Sequence, residues 1–200
     1  ADRLKRRASA AGLAMCGGSS MGFYNRSLGL RIASFPSPPG LRAGGIAWIA
    51  QSGSAFSALA HNDRRLGFSL CVSSGMEMTT TAADYADWAL TRPQTRVVGL
   101  FLEQVRDPDG FTAMVESANA RDIPVAVLKV GRTARSAAMA LSHTGAMAGN
   151  DTAFVALCRR HGVILVDDLD EMAAVLQTLD HRHRPAKGRL ATFHDSGGER

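Results

Sequence analysis

From Gly45 onward, short apolar runs alternate with longer stretches in which apolar residues return every three or four positions. No other feature of the chain restricts its fold so strongly. "GIAWIAQ" (Gly45 to Gln51) is a strand-like run closed by Ser52 and Gly53, and the stretch after it puts Phe56, Leu59 and Ala60 on one helical face. "FSLCVSS" leads to "AADYADWAL", with Tyr85, Trp88 and Ala89 directed inward, and "RVVGLFLE" leads to a stripe of Phe111, Met114, Val115 and Ala118. "PVAVLKVG" precedes a Gly/Ala/Ser-rich loop and a helix carrying Phe154, Leu157 and Cys158, for which Asn150 and Asp151 are candidate caps. "VILVDD" precedes a last helix with Leu169, Met172, Ala173, Leu176 and Leu179 on one side. The helical stretches show the i, i+3, i+4, i+7 pattern of an amphipathic helix, and the strands are apolar throughout, as strands covered on both faces must be.

Repeated β-then-α units predict parallel strands joined by right-handed crossovers, with helices on both sheet faces. The expected fold is a flavodoxin-like three-layer αβα sandwich around a five-stranded parallel sheet, occupying residues 45–180. Outside it, residues 1–44 read as the end of a preceding domain, with a strand at "LAMC" and the Pro-rich linker "FPSPPG". Residues 181–187 read as a second linker, and residues 188–200 as the first strand of another domain of the same type. The expectation is a piece of a longer protein.

The formal net charge of +5 does not by itself indicate a nucleic-acid partner. The basic residues are dispersed, and no aromatic platform or helix-turn-helix spacing accompanies them, so no nucleic-acid function is expected. Cys16, Cys71 and Cys158 are far apart and odd in number, which suits reduced thiols. "KRRASAAGLAMC" imitates a secretory leader, but Ser9 and Gly12 interrupt its apolar run. No stretch approaches the roughly 18 apolar residues of a membrane span. A cytoplasmic protein without a membrane partner is expected.

In an open parallel sheet, ligands bind beyond the carboxyl ends of the strands. "AQSGSAF" puts Ser52, Gly53 and Ser54 where a helix starts, which suits an anion because first-turn N–H groups lack partners there. The same pattern also serves an ordinary helix cap. "SHTGAMAG" sets His143 among nearly bare residues, free to approach a target; a surface histidine in a loop fits equally. Glu103 closes the third strand and points at the same rim, where a carboxylate could orient an imidazole. "HDSGGER" repeats the strand-then-Ser-Gly pattern at Ser196, Gly197 and Gly198. Two other features resemble sites and are set aside. "GSSMG" matches a nucleophile elbow around Ser20 but no clean helix follows, and His181 and His183 lack the companions of a zinc site.

Taken together, "GIAWIAQSGSAFSAL", "GFSLCVSSGMEMTTTAADYADWAL", "RVVGLFLEQVRDPDGF", "IPVAVLKVGRT" and "LSHTGAMAGNDTAF" resemble, in order and spacing, the nucleoside-diphosphate-forming acyl-CoA synthetases. Succinyl-CoA synthetase and ADP-forming acetyl-CoA synthetase belong to this superfamily. The resemblance runs from Gly45 to about Leu179 and extends outward to "MGFYN", like the end of the family's CoA-binding domain, and to "DSGGER", like the start of its third domain.

That resemblance implies an acid–CoA ligase, incomplete in this chain. The implied reaction makes acyl-CoA from a small carboxylic acid, CoA and ATP, releasing ADP and phosphate, through an acyl phosphate and a phosphohistidine. It implies that His143 carries the phosphoryl group and that Glu103 holds it. Ser52, Gly53, Ser54, Thr144, Gly145, Ser196, Gly197 and Gly198 would surround the phosphate, and Gly75, Met76 and Glu77 would form a substrate or CoA loop. ATP/ADP with Mg2+ would be bound by an ATP-grasp domain or subunit outside this chain, and an oligomer is expected. The alternative is a non-catalytic synthetase-like ligand-binding module, as fused to some protein acetyltransferases. Two stretches depart from the family pattern: Gly17-Gly18-Ser19-Ser20 replaces Gly-Pro-Asn-Cys, and Gly75-Met76 replaces Gly-Asn.

Overall fold

The computed structural model describes residues 2–34, 41–61, 65–131 and 151–181. In chain order, its first elements are α1 (Asp2–Ala10), β1 (Gly22–Asn25), β2 (Leu30–Ala33), β3 (Arg42–Ala50), α2 (Gly53–Ala60) and β4 (Gly67–Ser73). There follow α3 (Ala82–Leu90), β5 (Val97–Leu102), α4 (Pro108–Ala120), β6 (Val125–Lys129), α5 (Asp151–Arg160), β7 (Ile164–Val166) and α6 (Leu169–Leu179). The strands form one sheet in the order β2-β1-β4-β3-β5-β6-β7. Strands β4, β3, β5, β6 and β7 run parallel, while β1 pairs antiparallel with both β2 and β4.

Side chains of a strand alternate between faces, so a wholly apolar strand feeds two cores. In β3, Ile46, Trp48 and Ala50 enter the core under α2 and α6, whereas Ala47 and Ile49 enter the core under α3, α4 and α5. The stripe Phe111, Met114, Val115 and Ala118 is buried on α4, and each large side chain so buried contributes about 1.5–3 kcal/mol. Helix starts are fixed locally: Ser52, Asp107 and Asp168 each accept a first-turn N–H, Pro108 follows Asp107, and Thr81 with Asp84 forms a reciprocal capping box.

The amino end of the sheet is closed by an ion pair. Arg96, just before β5, lies 2.6 Å from the Asp180 carboxylate and also donates to the Asp180 carbonyl at 2.8 Å. The same carboxylate accepts the Gly45 N–H at 2.8 Å, joining the end of α6 to β3.

The five parallel strands and their helices match the expected sandwich, with two differences. Among the described residues the sheet has seven strands. "LAMC" is not a strand; instead "GFYN" and "LRIA" form a hairpin that extends the sheet beyond β4, and the expected boundary at residue 44 falls inside β3. The two strands are only four residues each, too short for a periodic pattern to mark them in the sequence.

Candidate functional site

Between β3 and β5 the chain's connections diverge. β3 leads through α2 to β4 on one side, and β5 leads through α4 to β6 on the other. Such a switch point opens a crevice at the carboxyl ends of the strands. Gln51 and Ser52 leave β3 there, Glu103 and Gln104 leave β5, Ser74 to Glu77 leave β4, and Lys129 ends β6.

Gln51 is only 8% exposed, and its side chain spans the crevice floor. Its Oε1 accepts the Glu103 N–H at 2.7 Å and the Gln104 N–H at 3.0 Å, while Nε2 donates to the Gln104 carbonyl at 2.7 Å. From the other side, the Lys129 ammonium donates to the Glu103 carbonyl at 2.9 Å and to the Val130 carbonyl at 2.7 Å. Both main-chain groups of Glu103 are therefore held by side chains. Its carboxylate, half-buried, meets no hydrogen-bond or ion-pair partner among the described residues.

Helix α2 begins beside this clamp. Ser52 Oγ accepts the Ala55 N–H at 3.3 Å, and the Ser52 carbonyl accepts the Phe56 N–H at 2.9 Å. The Gly53 and Ser54 N–H groups precede the intrahelical bonds and meet no partner among the described residues. Gly53 leaves room for a neighbour rather than for an anion: a Cβ there would lie 2.6 Å from Met21 Cγ.

The loop after β4 is stitched to the segment before β1. Met76 N–H donates to the Gly18 carbonyl at 2.7 Å, and Met78 N–H to the Gly17 carbonyl at 3.1 Å. Gly75 has φ +61°, and a Cβ on it would fall on the Gly18 carbonyl oxygen. The two stretches that depart from the family pattern are thus in mutual contact. Met76 is 43% exposed, whereas Glu77 is only 3% exposed. Glu77 Oε1 accepts from Ser74 Oγ at 2.7 Å and from the Ala82 N–H at 3.0 Å, and Arg106 stands 3.9 Å away. Burial pushes its carboxyl above the ordinary range, although these partners and the nearby Gln51 amide pull the other way. A cavity of about 10 Å³, the room of one water molecule, lies among Gln51, Glu77, Gln104 and Arg106.

Of the residues singled out in the sequence, Ser52, Gly53, Ser54, Gly75, Met76, Glu77 and Glu103 gather at this rim. His143, Thr144, Gly145, Ser196, Gly197, Gly198 and the cap Asn150 lie outside the described residues. Gln51, Lys129 and Arg106 were not anticipated; a glutamine closing an otherwise apolar strand was the available signal. Ser20 is no elbow nucleophile. Its hydroxyl donates to the Ser73 carbonyl and accepts the Gly22 N–H at 2.9 Å, and β1 rather than a helix follows it. His181 is exposed, and the described residues hold no group of three or more His, Cys, Asp or Glu placed to share a metal ion. No helix among them is long and apolar enough to cross a membrane.

Comparison with known proteins gives this geometry a context. The model of the succinyl-CoA ligase like flavodoxin domain matches residues 43–179. The ADP-forming acetate–CoA ligase II of Archaeoglobus fulgidus is 30% identical over 190 residues, covering 93% of this chain and 28% of that protein. A trans-feruloyl-CoA synthase from an unknown prokaryotic organism is 32% identical over 163 residues, covering 82% of this chain and 23% of that protein. The chain therefore spans about a quarter of the length of these relatives. Among solved structures, the dinucleotide forming acetyl-coenzyme A synthetase 1 of Ca. Korarchaeum cryptofilum, in complex with phosphate and ADP, superposes with a TM-score of 0.79. It is 26% identical, and the match covers 89% of this chain and 39% of that one. With most of its length matched by that domain model, the chain belongs to the succinyl-CoA ligase-like flavodoxin domain family.

Proposed function

We propose that this chain is the phosphohistidine-bearing part of an ADP-forming acyl-CoA synthetase. In the acyl-CoA-forming direction, a nitrogen of His143 takes the γ-phosphoryl group of ATP and ADP leaves. An oxygen of the carboxylic acid then attacks that phosphorus, freeing the imidazole and forming acyl phosphate. The CoA sulfur attacks the acyl carbon, and phosphate departs. Phosphoryl transfer of this kind asks the protein for placement and charge stabilisation more than for covalent chemistry.

Each group has a stated task. Glu103 accepts a hydrogen bond from the second imidazole nitrogen, fixing the tautomer and favouring the charged ring. Ser52, Gly53 and Ser54 offer N–H groups at the positive end of α2, with Thr144 and Gly145 beside His143 and a matching helix start at Ser196, Gly197 and Gly198. Gly75, Met76 and Glu77 face the acyl and CoA side. The segment ahead of β1 is the end of a CoA-binding domain, and residues 188–200 are the start of the next domain. Nucleotide and Mg2+ belong to an ATP-grasp domain or subunit, with which the protein works as a cytoplasmic oligomer.

One observation supports this reading above the others. The Gln51 side chain holds the Glu103 main chain next to the start of α2 at the switch point, putting a carboxylate without a described partner beside first-turn N–H groups. Incubating the complete polypeptide with radiolabelled phosphate and acetyl-CoA or trans-feruloyl-CoA tests it. An acid-labile, base-stable label on His143 is expected, and none in His143→Asn. Equal labelling of that variant would remove His143 from the mechanism.

A further inference from the structure

Glu103 sits where the sheet ladder ends. Its N–H and carbonyl are held by the side chains of Gln51 and Lys129, and the last pairing of β5 with β6 is Leu102 with Lys129. The position of the Glu103 carboxylate is therefore set by side-chain chemistry.

Gln51 is suited to that task. A primary amide has two acceptor positions and two donor hydrogens, and Gln51 uses at least three of the four: two N–H groups on its oxygen and the Gln104 carbonyl on its nitrogen. Turned over, the amide would set its hydrogens against two N–H donors and its oxygen against a carbonyl. Glutamate would keep the acceptor and lose the donor. Methionine would keep the shape and lose all three bonds. One buried amide thus joins the carboxyl ends of β3 and β5.

We infer that Gln51 is a positioning residue: it fixes the main chain at Glu103 and Gln104, and with it the place of the Glu103 carboxylate beside the end of β3. Its consequence for phosphoryl transfer rests on the function proposed above; its geometric part does not.

Two measurements on the complete polypeptide test it. In hydrogen exchange, Gln51→Met speeds exchange of the Glu103 and Gln104 amides at least about tenfold, while Leu100 and Val127 change less than about threefold. In labelling of His143 from acetyl-CoA or trans-feruloyl-CoA and phosphate, Gln51→Met slows the rate at least about tenfold, with the KM for acyl-CoA within about threefold. In a Glu103→Gln background the same substitution adds less than about twofold, because it acts through Glu103.

If Gln51→Met slows the Glu103→Gln enzyme by its full factor, or leaves both amides protected, the inference fails. If Glu103→Gln labels as fast as the parent, or no labelling occurs at all, the role proposed for the site fails instead, and amide exchange still decides whether Gln51 fixes the loop. Should Gln51→Met not fold, Gln51→Glu replaces it, with a slowing of about threefold or more that again requires Glu103. A slowing that persists without Glu103 overturns the inference.

Discussion

At the amino end of the sheet, Arg96, Asp180 and Gly45 close a half-buried ion pair whose bonds all serve to join α6 to β3 and β5. At the carboxyl end, Gln51, Glu77 and Lys129 make more bonds than that, yet the Glu103 carboxylate and the first N–H groups of α2 meet no partner among the described residues. Both ends spend polar groups on tethering elements together. Only the second leaves polar groups of opposite preference facing a crevice with no partner among the described residues. Binding chemistry is left where packing has been kept from using it.

Substitutions at the two ends should separate stability from phosphoryl transfer. The largest stability effect is expected for Asp180→Ala, which removes the carboxylate shared by Arg96 and the Gly45 N–H. A loss of about 2–3 kcal/mol, read from the urea midpoint, should leave the rate of His143 labelling within about twofold. A matching fall in labelling would show that the two ends are not independent.

Gly75→Ala comes next. It asks an L side chain to hold a left-handed φ and pushes a methyl onto the Gly18 carbonyl. A cost of about 1–2 kcal/mol in urea unfolding is expected, and with it weaker contact between the two methionine-bearing loops. An unaltered midpoint would mean that this loop pair bears no strain worth counting.

The smallest effect concerns pH. The Glu77 carboxyl titrates higher in the folded chain than the ordinary value of 4.5, because burial outweighs its partners. Between the unfolded and folded values the native state binds more protons than the unfolded one. Stability from this group is therefore full below the unfolded value and is lost as pH rises through the folded value. Glu77→Gln should flatten that part of the stability profile, which lies above the ordinary carboxyl value of 4.5. Parallel profiles for the two proteins would assign the slope to other groups.

Much of the fold could be read from residue order because the five parallel strands are buried on both faces, leaving unbroken apolar runs such as Ile46 to Ala50. The helices announced themselves through stripes and caps, as at Asp107 and Phe111. The hairpin of β1 and β2 could not be read this way, since Leu30 and Ile32 are exposed and pairing at a sheet edge needs no periodic burial. Within the site, Glu103 and the Ser52–Gly53 turn were legible because each ends a strand. Gln51 was not, because its role depends on main-chain groups 52 and 53 positions away, which local sequence does not reveal. Glu77 was placed in the right loop, yet nothing in "SGMEMTT" indicates that its carboxylate turns inward while Met76 turns out.

Backbone bonds from Met76 and Met78 to Gly18 and Gly17 tie together stretches far apart along the chain. Neither stretch can be redesigned alone without unmooring the other. Anyone wishing to reshape this rim should exchange both segments as one graft, since a partner borrowed from a relative would bring the wrong shape to the shared seam.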